Sequence, residues 1–367
     1  MMTIKRKILL VTNGFYPEIS PRSYRATELA LEFSRVGHEV VVITKHRDYN
    51  YQEFLNNTHL TLKLWPKSKF PRVPDSKYSL LKFLSKTMSR LLLTLFEYPG
   101  IEDMFNVRKI LGNENGYNLL ISFAVPYPVH WGVAWSRTKN HPISDVWIAD
   151  CGDPYMGDVL DSFRKPFYFG FVEKWFCRKT DFISIPIESA KYGYYKQFHE
   201  KIRIIPQGFN FEVVKEKPFV NNVPSFAYAG SFIEGTRDPR QLMQYLLSLD
   251  ISFRFFVFTN QSEILNEFKE KLDGKLIVTD YIPREELMKV LSTMDFLVNF
   301  DNNTALNSPS KLIDYAIIGR PVLNIEKTFN KQRVQEFLNG DYRNKMELPD
   351  PYVFHIKNIS TRFLSLL

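Results

Sequence analysis

The hydrophobic and polar positions of this chain repeat one pattern, in which a short buried strand precedes an amphipathic helix. Residues 8–12 form an all-apolar run that ends at Asn13 and Gly14. Apolar residues then recur at i, i+3, i+4 and i+7 within residues 23–36, the spacing of one helix face. Residues 40–44 read as the next buried strand. Two buried strands around a helix predict a βαβ unit and a parallel sheet.

The pattern continues over the first half of the chain. A long helix is predicted over residues 80–96, and a proline-rich loop precedes it. Lys82, Lys86 and Arg90 lie four residues apart on one flank of this helix. Helical stretches separate most of the remaining strands. Those strands are predicted at residues 60–64, 119–123, 146–149, 182–185 and 202–205.

The second half restarts the pattern after a break. Residues 206–208 interrupt the chain, and residues 209–224 are charged, rich in Asn and bounded by proline, as in a linker. Strands and helices then alternate again, with strands predicted at residues 226–229, 253–258, 276–279, 296–300 and 322–325.

We therefore predict an α/β protein of two doubly wound, Rossmann-like domains. The first spans residues 1–208 and the second residues 225–350, and residues 351–367 are expected to pack back towards the first domain. In such a fold the carboxyl ends of both sheets are expected to face a central cleft, because open α/β sheets bind ligands there.

Composition narrows the class of protein. The chain has 367 residues, 44% of them hydrophobic, and a formal charge of +8, which favours anionic partners. The sequence lacks the basic runs with interleaved aromatic residues that are typical of nucleic-acid-binding proteins. Its two cysteines form no CxxC motif, the histidines show no metal-ligand spacing, and the start lacks the apolar core of a signal peptide. A cytoplasmic protein without a bound divalent metal is predicted.

The stretch at residues 307–323 predicts a helix with an anion site at its start. Ser308 can cap it and Pro309 suits its first position. Asp314 lies on the same face one turn further, where a carboxylate suits ribose hydroxyls. The free amides that would bind phosphate are those of Ser310, Lys311 and Leu312. The alternative to an anion site is an ordinary surface helix with a Lys–Asp pair.

Five short motifs occur in a recognisable order along the chain. Residues 11–17 combine a strand end with a glycine loop, residues 35–40 contain G-H-E-V before a strand, and residues 202–208 form a turn between the predicted domains. Residues 228–231 end a strand in a glycine turn, and residues 311–321 are similar to P-x-K-x-x-E-Y-x-x-x-G-x-P-V with Asp314 for Glu. In this order the motifs resemble those of the GT-B-fold glycosyltransferases, and specifically the large retaining family four.

The resemblance implies a retaining, metal-independent transfer of sugar from a UDP- or GDP-sugar, with no other cofactor, to a glycan or lipid-linked acceptor in cell-surface polysaccharide assembly. Two positions depart from the family. Leu306 stands where many members have a first acid, and Ser231 where many have Arg. The diphosphate is therefore expected on Arg237 and Lys311, because fixed cations stabilise a leaving group without reorganisation.

The remaining site residues are expected on the loops that follow strands. Asp153, which follows residues 146–149, is predicted to orient the sugar or touch the acceptor hydroxyl, and with Arg237 and Lys311 it forms the predicted catalytic set. The alternative role of Asp153 is to cap a turn. Arg237, Arg22 and Arg25 would alternatively be solvated charges, and His130 a structural histidine. The predicted donor-binding residues are Gly14, Gly230, Ser231, Arg237, Ser310, Lys311, Leu312 and Asp314. The predicted acceptor-binding residues are Asn13, Arg22, Arg25, Asp150 and His130.

Other functions remain open at this point. The basic helix at residues 80–96 suits peripheral contact with the inner membrane face, or else is an internal helix with a solvated basic side. A nucleotide-sugar epimerase would use the same donor site, and a catalytically silent module would scaffold a partner enzyme. An NAD dehydrogenase is disfavoured, because no G-x-G-x-x-G follows a strand.

Overall fold

The computed structural model describes residues 4–74, 78–157, 164–211, 221–235, 237–301 and 310–367. The chain divides into two compact units. Unit 1 comprises Met1–Asn210 together with Phe354–Leu367, and unit 2 comprises Phe211–Val353. Each unit has its own hydrophobic clusters.

Unit 1 is built on a parallel sheet with the strand order β3-β2-β1-β4-β5-β6-β7. Its central strands are buried on both faces, and Ile8, Leu9, Leu10 and Val11 are all 0% exposed. Such burial explains the all-apolar runs in the sequence. The strands are β1 (Lys7–Thr12), β2 (Glu39–Lys45), β3 (Thr61–Trp65), β4 (Tyr117–Phe123), β5 (Ser144–Asp150), β6 (Phe182–Ile185) and β7 (Ile202–Ile204).

Helices cover both faces of this sheet. The first begins two residues before the predicted start, because the Ser20 side chain accepts a hydrogen bond from the Ser23 amide and Pro21 occupies the first turn. The helices along the strands are α1 (Pro21–Arg35), α2 (Gln52–Asn56), α3 (Ser79–Phe96), α4 (Glu102–Leu111), α5 (Pro128–Ser136) and α6 (Phe169–Lys179).

Unit 2 repeats the architecture on a smaller sheet with the order β10-β9-β8-β11-β12, again all parallel. The strands are β8 (Ser225–Ala229), β9 (Arg254–Phe258), β10 (Leu276–Thr279), β11 (Phe296–Phe300) and β12 (Val322–Ile325). The helices are α7 (Arg240–Leu247), α8 (Asn266–Lys269), α9 (Arg284–Ser292), α10 (Ser310–Ile318) and α11 (Lys331–Leu338).

Both sheets reverse their strand order at one point. In unit 1 the reversal lies between β1 and β4, and in unit 2 between β8 and β11. The crevice outside the carboxyl ends of the strands at such a switch point is where open α/β sheets bind ligands. The two switch points therefore locate the candidate sites.

The last helix, α12 (Ile356–Leu364), belongs to unit 1. Ile356, Ile359 and Phe363 are buried in the cluster that also holds the apolar face of α1. The backbone at Phe209 exchanges hydrogen bonds of 2.9 Å with Phe354 and Ile356, which fixes the start of the helix. The first Rossmann-like unit is thus completed by residues from the far end of the chain.

Candidate functional site

The switch point of unit 2 begins with a tight turn after β8. Gly230 has a φ of +150°, and a Cβ there would lie 2.9 Å from the Tyr228 hydroxyl. That hydroxyl donates a 2.9 Å hydrogen bond to the carbonyl of Ser231. Glycine is therefore required by the approach of the tyrosine, and Tyr228 shapes the turn.

Lys311 lies in the first turn of α10 and reaches over this turn. Its Nζ is 4.6 Å from the centroid of the Tyr228 ring, a cation–π contact. The Nζ is inaccessible to solvent and has no hydrogen-bond partner in the described part of the chain. Burial, together with the nearby charge of Arg237, lowers the pKa of Lys311 to about 7. A buried amine without an acceptor marks a place for an anion.

Arg237 brings a second cation to the same turn. Its Nε is likewise buried and unpartnered among the described residues, and its carbonyl accepts a 3.2 Å hydrogen bond from the Ile233 amide. Two like charges that are close repel each other, so an anion beside Lys311 and Arg237 would stabilise the arrangement. The structure thus brings together around one turn four of the predicted donor-site residues, Gly230, Ser231, Arg237 and Lys311.

Asp314 is one turn further along α10 and is bound by a residue that the sequence did not indicate. Its Oδ1 accepts hydrogen bonds from Arg284 Nη2 at 2.5 Å and Nε at 3.1 Å. The Lys–Asp pair named as an alternative is not formed, because Lys311 turns towards Tyr228 instead. The Asp314 side chain is 22% exposed. Asp314 is therefore oriented by Arg284 and still accessible to a ligand.

Tyr315 fixes the helix that carries Lys311 and Asp314. Its fully buried hydroxyl accepts a 3.2 Å hydrogen bond from the Ala229 amide and donates one of 3.2 Å to the Val298 carbonyl. It thereby ties α10 to both strands of the switch point. Sequence reasoning missed this role, although Tyr315 occupies the tyrosine position of the motif that contains Lys311.

The other predicted donor residues of unit 2 are placed as follows. Ser231 Oγ lies 3.0 Å from the exposed Tyr281 hydroxyl, and Leu312 is buried against the sheet. Ser310 is the first residue of α10. Leu306, Ser308 and Pro309, and with them the predicted cap, lie outside the described residues.

In unit 1 the predicted Arg25 and Asp150 form a buried ion pair. Arg25 Nε and Nη2 each donate to an oxygen of Asp150 at 2.7 Å, and its remaining donors bind the carbonyls of Ile205 and Pro206. Ser184 Oγ also donates to Asp150 at 2.6 Å. Burial would raise the pKa of Asp150, but Arg25 and Arg22 outweigh it and hold that pKa below its ordinary value.

These contacts correct three acceptor assignments. Arg25 is 2% exposed and Asp150 0%, so neither side chain presents a free group to an acceptor. His130 is also 0% exposed, with Nδ1 2.8 Å from Ser122 Oγ and Nε2 3.4 Å from Cys151 Sγ. Burial lowers the pKa of His130 to about 3, so the imidazole stays neutral near pH 7. All three hold the strand ends in place instead.

The remaining predicted residues of unit 1 lie around the β1–β4 switch point. Arg22 donates to the carbonyls of Ala124 and Asp150 and is 19% exposed. Asp153 has an exposed side chain. Asn13 and Gly14 follow β1, and Asn13 Nδ2 donates to Asp103 Oδ2 at 2.5 Å. Of these, Asp153 has the most accessible polar group.

Across the residues that the structure describes, no group of three His, Cys, Asp or Glu side chains is placed to hold a metal ion. None of the described helices combines the length and apolar character needed to cross a bilayer.

Comparison with known proteins identifies the fold. No protein-family model matches the chain, and neither does any curated protein. Solved structures do match. A glycosyltransferase from Rickettsia africae ESF-5 has a TM-score of 0.58 at 12% identity, over 99% of this chain and 98% of its own. The lipopolysaccharide outer core galactosyltransferase WaaB has a TM-score of 0.52 at 11% identity, over 98% and 100%.

A third match is an enzyme of a different reaction. UDP-GlcNAc 2-epimerase from Neisseria meningitidis, solved with UDP-GlcNAc bound, has a TM-score of 0.54 at 11% identity, over 98% of both chains. At these identities the likeness concerns the fold. The two parallel α/β sheets and these full-length matches show that the chain has the GT-B glycosyltransferase fold.

Proposed function

We propose that this protein is a retaining, metal-independent glycosyltransferase that uses a UDP- or GDP-sugar and a glycan or lipid-linked acceptor in cell-surface polysaccharide assembly. One observation carries the proposal. Lys311 Nζ and Arg237 Nε are buried beside the Gly230 turn with no partner among the described residues. A nucleoside diphosphate supplies the two negative charges that such a pair of cations lacks.

In this proposal the diphosphate lies against Lys311 and Arg237, and the amides at the start of α10 face it. Asp314, held by Arg284, binds the ribose hydroxyls. The bond between the anomeric carbon and the diphosphate oxygen breaks, and the diphosphate leaves with the electron pair. The acceptor oxygen bonds to the anomeric carbon, its proton passes to the leaving diphosphate, and the two cations stabilise the charge on that diphosphate. Asp153, exposed at the carboxyl edge of the unit 1 sheet, orients the acceptor hydroxyl.

The proposal includes peripheral contact with the cytoplasmic face of a membrane through α3. None of residues 82–96 is buried, although the helix is amphipathic. Its exposed apolar side chains, Phe83, Leu84, Met88 and Leu91, lie beside Lys82 and Lys86. An apolar face with a basic flank is the pattern of helices that lie on anionic lipid.

The test measures nucleotide binding and turnover in a matched pair of variants. Lys311→Met removes the charge and keeps the volume, whereas Lys289→Met removes an exposed charge from α9. We expect Lys311→Met to weaken UDP or GDP binding at least tenfold in calorimetry and to lower turnover by about 10²–10³. Lys289→Met should change neither.

Three results would redirect the proposal. Unchanged nucleotide affinity in Lys311→Met contradicts the donor site. Binding without turnover in any acceptor mixture identifies a catalytically silent module. Isomerised donor sugar identifies an epimerase, the reaction of one of the matched structures.

A further inference from the structure

The loop that carries Asp153 is fixed to unit 1 through its backbone, although the Asp153 side chain is exposed. The Tyr127 hydroxyl donates a 2.5 Å hydrogen bond to the Asp153 carbonyl, and it lies 3.1 Å from the Tyr194 hydroxyl. Pro154 packs so closely on Gly193 that a Cβ at Gly193 would lie 2.3 Å from Cγ of the proline. Two separate contacts therefore hold the backbone that follows the Asp153 side chain.

The two tyrosines can share their protons in only one direction. A carbonyl oxygen has no proton to give, so the Tyr127 proton is used on Asp153. The 3.1 Å contact is then a donation from Tyr194 to the Tyr127 oxygen. Each tyrosine is 4% exposed, and burial raises the pKa of both hydroxyls well above its ordinary value, so both stay protonated. This tyrosine network runs from Tyr194 through Tyr127 to the carbonyl of Asp153.

A second set of hydrogen bonds, the histidine network, runs through His130 to the same segment. Trp147 Nε1 donates to Ser122 Oγ at 2.8 Å, and Ser122 Oγ lies 2.8 Å from His130 Nδ1. On the other side of the ring, Nε2 lies 3.4 Å from Cys151 Sγ, which donates to the Ala149 carbonyl at 3.7 Å. All five residues are 0% exposed. The histidine network thus ends two residues before Cys151, and the tyrosine network two residues after it.

The protons of the histidine network also have one arrangement. Among the described residues, His130 Nδ1 is the only acceptor within hydrogen-bond distance of the Ser122 hydroxyl. A buried hydroxyl without an acceptor is costly, so Ser122 donates to Nδ1. The neutral ring therefore carries its proton on Nε2 and donates it to Cys151 Sγ. Burial raises the pKa of the Cys151 thiol to about 12, so the thiol keeps its own proton.

We propose that Tyr127 and His130 are positioning residues for Asp153, and that His130 acts as the neutral tautomer with its proton on Nε2. Tyr127 fixes the Asp153 carbonyl, and His130 fixes Cys151, two residues earlier in the same segment. Buried polar groups that are satisfied in a single arrangement rigidify the backbone they bind. The catalytic use of Asp153 rests on the proposed function, whereas the two networks do not.

The tautomer is tested by long-range ¹H–¹⁵N NMR on the full chain labelled with ¹⁵N-histidine. The chain has seven histidines. His130→Gln identifies the resonances of this ring by their loss, and Cys151→Ser identifies them by a shift. We expect a protonated Nε2 and a bare Nδ1, unchanged between pH 5 and pH 8. A proton on Nδ1, a mixture of tautomers, or titration in this range overturns the histidine network.

The positioning role is tested by the rate of sugar transfer. Tyr127→Phe leaves the Asp153 carbonyl without its donor, so kcat should fall by about tenfold or more while KM for the donor stays the same. Tyr194→Phe leaves that bond intact and should lower kcat by less. Tyr117→Phe is the control, because it removes a buried hydroxyl of unit 1 that donates to Glu114 instead. An unchanged kcat in Tyr127→Phe, or an equal fall in Tyr117→Phe, overturns the role.

Cysteine variants test the histidine network in the same assay. Cys151→Ser keeps a donor and an acceptor and should retain most of the wild-type kcat, whereas Cys151→Ala removes both and should lower kcat several-fold. Cys177→Ala, at the other buried cysteine, should have no effect. Equal rates in the two Cys151 variants overturn the link between His130 and the loop.

The proposed function and the networks fail in different ways. If the protein transfers no sugar but His130 shows the Nε2 tautomer at every pH, the proposed function fails and the histidine network stands. Sugar transfer by a protein whose His130 titrates between pH 5 and pH 8 rejects the histidine network alone.

Discussion

Lys311 is the residue whose chemical state decides what the switch point of unit 2 can bind. Burial and the nearby charge of Arg237 lower the pKa of Lys311 to about 7, so the neutral amine gains weight as the pH rises above 7 when no anion is present. An anion beside it favours the charged form and raises its pKa. Binding of a diphosphate above pH 7 must therefore take up a proton, and affinity should fall as pH rises.

This residue yields a calorimetric prediction. At pH 8.5, UDP or GDP binding should take up close to one proton, seen as a dependence of the heat on the buffer's ionisation enthalpy. At pH 6.5 the uptake attributable to Lys311 should be much smaller. Lys311→Arg is the control, because a guanidinium stays protonated throughout. Equal proton uptake in both proteins at pH 8.5 would assign the titration to another group.

The partners of single residues are what the sequence predicted least well. Lys311, Arg237 and Gly230 follow from a local motif and from strand ends. The Arg284–Asp314 bond instead joins residues 30 positions apart, and the Arg25–Asp150 pair residues 125 apart. Such pairs depend on how the elements pack, which no local pattern encodes.

Among the elements, strands were predicted from the sequence almost to the residue. The strands at residues 182–185, 276–279, 296–300 and 322–325 coincide with β6, β10, β11 and β12. A strand covered on both faces must be apolar at every position, so its run stands out. The helices α11 and α12 were missed, because each is short and shows only three or four apolar positions.

The amphipathic pattern of α3 predicts a packing partner for its apolar face, but the described part of the chain does not provide one. Phe83 is 66% exposed and Leu84 is 52% exposed. Beyond α3, Phe167 and Phe171 are exposed near its end, where the Tyr168 hydroxyl donates to the Leu95 carbonyl. The apolar surface therefore extends from α3 to the start of α6.

A vesicle-sedimentation experiment tests this element. Leu84→Ser should reduce binding to phosphatidylglycerol vesicles several-fold, because it removes apolar area from the inserted face. Lys86→Glu should also reduce it, more strongly at low salt. The control is Lys331→Glu, an exposed lysine of α11 in unit 2. Indistinguishable binding of the Lys86 and Lys331 variants would exclude α3 as the contact.

At the scale of the whole molecule, the two units are expected to unfold separately, because each has hydrophobic clusters of its own. Two spectroscopic signals distinguish the unfolding of the units. Tryptophan fluorescence follows unit 1, because all five tryptophans fall within it. Far-ultraviolet circular dichroism follows both units.

We predict that Phe363→Ala destabilises unit 1 by roughly 3–5 kcal/mol, the usual cost of removing a buried phenylalanine ring. The fluorescence transition should move to lower denaturant, while the part of the dichroism signal due to unit 2 should stay in place. Val334→Ala, in α11, is the converse variant and should move only the unit 2 signal. A shift of both transitions by either variant would show that the units unfold together.

The place of α12 also has a consequence for how the protein is made. The Phe363 ring covers the buried Arg25 guanidinium at 5.6 Å, yet the ribosome reaches it only after the whole of unit 2. At translation rates of about 5–20 residues per second, α1 remains without Phe363 for roughly 15–65 seconds. The unit that begins first along the chain is therefore finished last, and during that interval its apolar face is available to chaperones.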